Sequence, residues 1–132
     1  MISSKTLALS LLFVSTAALA RVQLNAYIEL NSPLVESQQT ADTEVQLDEN
    51  ESIVAFSSDA IRIEAALLAE KDNAAHVRYS FFVKNAEGSF ELVAQPELFA
   101  AYGDPAVITL GETSQEGQAV ALFMNVNASK VQ

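Results

Sequence analysis

Few side chains in this sequence are of kinds that act on other molecules, and their spacing decides what each can do. His76 is the single histidine, and the chain has no cysteine. A serine–histidine–acid triad would have to use His76, and a structural zinc site lacks its usual ligands. His76 falls on the polar side of an alternating run, next but one to Arg78, which reads as an exposed strand residue. Asp48, Glu49 and Glu51 crowd one short stretch around Asn50. Clustered carboxylates are what calcium prefers, but the spacing is not that of an EF-hand loop and the glycine such a loop needs is missing. We expect a solvated turn there, with calcium binding as the alternative. A glycosidase needs two carboxylates facing each other across a cleft. Among 17 acidic residues some pair must be close, yet there is no tryptophan to make a sugar platform. Gly88, Gly103, Gly111 and Gly117 are dispersed, so no phosphate cradle forms. Asn50-Glu51-Ser52 and Asn127-Ala128-Ser129 match the glycosylation sequon, a pattern short enough to arise by chance. We therefore expect no catalytic residue, no cofactor site and no metal site. What remains for contact with a partner is aromatic: Phe82, on the face opposite the expected core of its strand, and Tyr27, on the polar side of the first strand.

The elements that would carry these residues alternate with period two, the pattern of half-buried strands. Val22, Leu24, Ala26, Ile28 and Leu30 alternate with polar residues until Asn31-Ser32-Pro33 stops the run. Residues 37–43 are polar and read as a loop, and residues 44–47 as a short strand. Residues 53–56 make a brief apolar strand after the acidic turn. Ile61, Ile63, Ala65 and Leu67 suggest a longer one; Ala65 to Glu70 would also suit a helix by propensity, but the β-branched start and the Lys71-Asp72-Asn73 turn favour a strand. Val77, Tyr79, Phe81 and Val83 line one face of the clearest strand, with His76, Arg78, Ser80, Phe82 and Lys84 on the other. A loop at residues 85–89 offers Gly88 for a positive φ, and residues 90–94 return from it with Phe90 expected in the core. Pro96 ends that pairing. Residues 98–101 read as a short extended piece, Tyr102-Gly103-Asp104-Pro105 as a turn, and Ala106, Ile108 and Leu110 as the inner side of another strand. A polar loop is expected over residues 111–117, before a closing strand with Val120, Leu122, Met124 and Val126 on one face. Seven to nine short strands with turns every 8 to 12 residues predict an all-β fold, a small antiparallel β-sandwich that is immunoglobulin-like or an open barrel. The Cys…Trp…Cys marks of true immunoglobulin domains are absent.

Ahead of these strands lies a leader. Lys5, the apolar run at residues 7–14 and Ala18-Leu19-Ala20 follow the order of a secretory signal peptide, with cleavage expected after Ala20. The apolar run is shorter than the roughly 20 residues a spanning helix needs. We therefore expect residues 1–20 to be a signal peptide, residues 21–132 a single β-sandwich domain, and the destination periplasmic or secreted. Without a cysteine, no lipid-modified cysteine can follow the cleavage point. Removing Lys5 with the leader leaves six basic residues against the 17 acidic ones. Such a surface repels phosphate backbones and anionic head groups, so neither nucleic acid nor a charged membrane is an expected partner.

The segment from Gln95 to Gly111 resembles the strand–turn–strand of bacterial secretin-type β domains, through Pro96, Ala106, Ile108 and Gly111. The flanking strands fit the same layout, so that the likeness extends over residues 90–126. It implies a periplasmic or envelope β module, implies no catalytic residue, and comes without the length of a pore-forming secretin. The function expected is therefore a non-catalytic exported module, not an enzyme, that binds or assembles through protein–protein contacts. Edge pairing is the expected mode, with the first strand (residues 22–30) and the last (119–126) as candidate edges. The alternatives are a pilin- or adhesin-like subunit that donates the first strand, and a small calcium- or carbohydrate-binding protein or carboxylate hydrolase.

Overall fold

The computed structural model describes residues 22–35, 37–113 and 119–131. The expected leader lies outside these residues, as does most of the loop expected over 111–117. The described chain is all β: β1 (Val22–Asn31), β2 (Gln39–Leu47), β3 (Ser52–Ser57), β4 (Ile61–Lys71), β5 (Ala74–Lys84), β6 (Phe90–Ala94), β7 (Glu97–Ala101), β8 (Ala106–Thr113) and β9 (Ala119–Lys130). Two antiparallel sheets pack as a sandwich. One has the order β2-β1-β9-β8; the other has the order β3-β4-β5-β6, with β7 pairing β5 beyond β6. Among the described residues, no helix is long and apolar enough to cross a membrane.

The sheets meet through the alternating residues. Leu24, Ile28, Leu30, Leu122 and Met124 from the first sheet pack against Ile63, Leu67, Tyr79 and Phe81 from the second, all at or near zero exposure. Burying each such side chain contributes about 1.5–3 kcal/mol, which is how a domain without disulfides holds together. The first and last strands lie side by side in the middle of their sheet, with Leu24 opposite Ala128, Ala26 opposite Val126, and Ile28 opposite Met124. β1 also pairs β2, and β9 also pairs β8. This corrects the expectation that residues 22–30 and 119–126 offer free edges. Each carries an apolar side chain at every second position over nine residues or so, and a strand that apolar gains most from neighbours on both sides.

Two further expectations are corrected. Residues 39–43 are strand, because Ala41 and Thr43 continue inward the set that Val45 and Leu47 complete. Thr43 can be buried because its hydroxyl donates to the Ala26 carbonyl at 3.4 Å. Phe90 is not in the core: a register shift between Phe81 and Phe82 sets it opposite Lys84 on the outer face, where the Lys84 ammonium stands 5.6 Å from its ring centre.

The ambiguous stretch from Ala65 to Glu70 is strand, pinned by a two-residue turn in which Asp72 (φ 55°) and Asn73 (φ 60°) both take the left-handed conformation. That conformation matches the twist of the flanking strands, and Asp and Asn tolerate it best after Gly. Gly103 (φ 88°) lets the chain turn from β7 in one sheet to β8 in the other. Glu70 fastens the same end of the sandwich: it accepts from the Tyr102 hydroxyl and pairs the Lys130 ammonium at 2.7 Å, joining β4 to the turn after β7 and to β9 of the other sheet.

Candidate functional site

The two aromatic residues singled out for partner contact do not share a surface. Tyr27 stands on the outer face of the first sheet, Phe82 on the outer face of the second. Tyr27 is 36% exposed, sets its ring edge-on to Phe123 at 6.4 Å, and donates its hydroxyl to Glu29 at 2.8 Å. That hydrogen bond, then desolvation and the charges of Glu29 and Asp42, holds the phenol above its ordinary pKa of 10.0, so it stays a donor. Beside it runs a shallow groove of about 420 Å³, walled by Asn25, Tyr27, Asp42, Glu44, Asn125 and Asn127. The Asn125 amide oxygen is buried with no hydrogen-bond partner among the described residues.

Phe82 is half-buried. The Arg62 guanidinium lies 5.7 Å from its ring centre while bonding Glu64, and Leu92 sits directly opposite. Ser80 below it accepts from the Gln95 side chain at 2.9 Å. Further along, His76 stacks on Phe99 at 4.3 Å and reaches Glu97 at 3.1 Å. His76 thus spends its ring on one aromatic and one carboxylate. In the acidic turn the carboxylates diverge: Glu51 accepts from the Asp48 amide, Asp48 from the Glu49 amide, and Glu49 from the Glu70 amide. Asp48 and Glu51 thus cap backbone within the turn, where Asn50 takes a positive φ, and Glu49 ties the turn to β4. Among the described residues, no group of three histidine, cysteine or carboxylate side chains converges to hold a metal.

What the fold does present is strand edges, and they differ. β3 is short and carries a register shift between Val54 and Phe56. The opposite edge of that sheet is split into β6 and β7 around Gln95-Pro96, with the Pro96 carbonyl taking the Tyr79 amide. β2 is long and regular, but Asp42 and Glu44 line its outer face. Bulges, prolines and charges are the means by which proteins blunt their edges. β8 has none of them over Ala106-Val107-Ile108-Thr109-Leu110-Gly111, and β9 is its one strand partner among the described residues. Val107 is 57% exposed on its outer face, and Ala106, Ile108 and Leu110, which face the core, are only partly buried. The lack of charge was visible in the sequence. That β8 ends a sheet was not, because local alternation says nothing of strand order. No family model, curated protein or solved structure matches this chain.

Proposed function

We propose that this chain is an exported, non-catalytic envelope module that binds by strand addition, taking an extended segment of a protein partner along β8. The observation that carries the reading is the bare β8 edge in a sandwich whose other three edges are each blunted. Strand addition draws affinity from backbone hydrogen bonds and selectivity from alternate side chains. Here the outer positions are Val107 and Thr109, and the inner ones are Ile108 and Leu110, half-open at the rim of the core. The signal-peptide pattern and the likeness of residues 95–111 to secretin-type modules fit the same reading; that segment holds β7, the turn and most of β8.

A photo-crosslinking side chain at position 107 tests it in intact cells. The expected result is a discrete crosslinked band from position 107 and none from position 40 on the β2 edge. Equal labelling from both edges, or none from position 107, overturns the proposal. A second reading is favoured by the groove beside Tyr27, where three amides and two carboxylates surround an aromatic ring. Those are groups that pair sugar hydroxyls and cover a sugar face. Titration with neutral oligosaccharides should then shift the Asn125 and Asn127 amide resonances, and Tyr27→Ala should abolish the shift; unmoved resonances dispose of it.

A further inference from the structure

We infer that the strand received along β8 is β8 of a second copy, so that two chains join across a two-fold axis through Thr109 into one continuous eight-stranded sheet. The inference rests on the strand-addition reading and names its partner. Residues directly opposite in an antiparallel pair point to the same face of the sheet. When a strand pairs with itself, the two residue numbers in each opposed pair must therefore add to an even total. The registers open to β8 are few, and the one centred on Thr109 matches side chains best. It sets Ile108 against Leu110 twice on the core side, so that each partly buried residue covers another. On the outer side it sets Val107 against Gly111 and Thr109 against Thr109, and threonine pairs are favourable across strands. The same register puts the small Ala106 against Glu112 at each end, whereas a centre at Leu110 would put the larger Ile108 there and a centre at Ile108 would oppose Asp104 to Glu112.

Charge limits where a second copy can dock. The chain carries a net charge of −10, so two copies repel over most of their surface. The uncharged run from Ala106 to Gly111 is where they approach without opposing carboxylates. At the far edge Asp42 and Glu44 stop the sheet from growing, so pairing closes at two chains. An edge buries less than the roughly 1,200 Å² of a stable specific interface, so the dimer is a weak one, dissociating in about the micromolar range or above. Because the residual repulsion is between like charges, added salt tightens it.

Sedimentation equilibrium on the purified chain tests the inference, with Thr109→Lys, Thr109→Glu and, as a control, Thr40→Lys. Thr109 and Thr40 are both exposed, and circular dichroism checks that each variant keeps its sheet. The wild type and Thr40→Lys should dimerise alike. Each Thr109 variant alone should weaken dimerisation at least about tenfold, since it opposes like charges. An equimolar mixture of Thr109→Lys and Thr109→Glu should restore the dimer. A wild type that stays monomeric at all concentrations, variants that dimerise as well as the wild type, or a mixture that fails to recover would each overturn self-pairing. The position-107 crosslink separates this failure from that of strand addition itself. A band at twice the chain mass supports the dimer; a band of any other mass keeps strand addition and removes the second copy as its partner.

Discussion

β2 and β8 are the two ends of one sheet, and the contrast between them is the most informative feature of the molecule. Both are regular strands with a single strand partner among the described residues, and both turn alternate residues inward. Ala41, Thr43, Val45 and Leu47 of β2 are buried, whereas Ala106, Ile108 and Leu110 of β8 are only partly so. On the outside β2 shows Asp42 and Glu44, while β8 shows Val107 and Thr109. One edge is completed and fenced; the other is left half-covered and bare. The difference teaches that finishing a core and guarding an edge go together here, and that the edge without guards is also the one whose core is unfinished.

Trimming the inner side chain of each edge breaks this comparison most forcefully. Leu47 is fully buried, so Leu47→Ala should lower stability by about 3 kcal/mol, the transfer loss plus that of the cavity left behind. Leu110→Ala removes a side chain already partly in water and should lower monomer stability by about 1 kcal/mol. Urea unfolding at low protein concentration measures both. Equal losses would mean that β8 is as finished as β2, and the contrast would fall. At high concentration Leu110→Ala should also lose dimer, and Leu47→Ala should not.

How much of this could be read from the residues themselves differs from strand to strand. The inward sets of β1, β5 and β9 are strongly apolar at every second position, so both their faces were legible. The first half of β2 was not, because Ala41 and Thr43 are weak apolar signals and Thr43 becomes an inward residue only once the Ala26 carbonyl takes its hydroxyl. Phe90 misled for a different reason. A bulge at Val93, on its own strand, changes which way the pleat points it, and alternation across residues 90–94 does not show which residue is left unpaired. The candidate surface was the least legible part. The charge-free run from Ala106 to Gly111 is plain in the sequence, but edge status depends on which strands pair. That choice is made by long-range contacts, which set the first and last strands side by side at the centre.

A smaller effect, in the core beneath both edges, sharpens the comparison by leaving it alone. The Tyr79 hydroxyl is fully buried on β5 and has no hydrogen-bond partner among the described residues. Tyr79→Phe should therefore raise stability by about 1 kcal/mol, since an unpaired buried polar group is removed without a change of shape. Burial also pushes the phenol well above its ordinary pKa of 10.0. Above pH 10 the unfolded chain gives up this proton while the folded chain keeps it, so unfolded molecules bind fewer protons and stability falls as pH rises. In Tyr79→Phe that part of the alkaline loss should vanish. Thermal melts at pH 7 and pH 11 read both effects. The dimer constant should not move; if it does, the edges are coupled through the core and are not separate features.

The smallest change in stability carries the sharpest consequence for assembly. Asp42→Asn with Glu44→Gln removes the two carboxylates from the outer face of β2 and keeps the shape of each side chain. Exposed substitutions of this kind shift stability by less than about 0.5 kcal/mol. If these charges are what stops the sheet, the double variant has two usable edges per chain, and a molecule with two usable edges no longer closes at a pair. Light scattering should then show a mass that climbs past the dimer with concentration, and Thr109→Lys added to the double variant should cut growth back, because it closes one of the two edges. A double variant that remains a dimer would place the barrier in the backbone geometry of β2 and not in its charges.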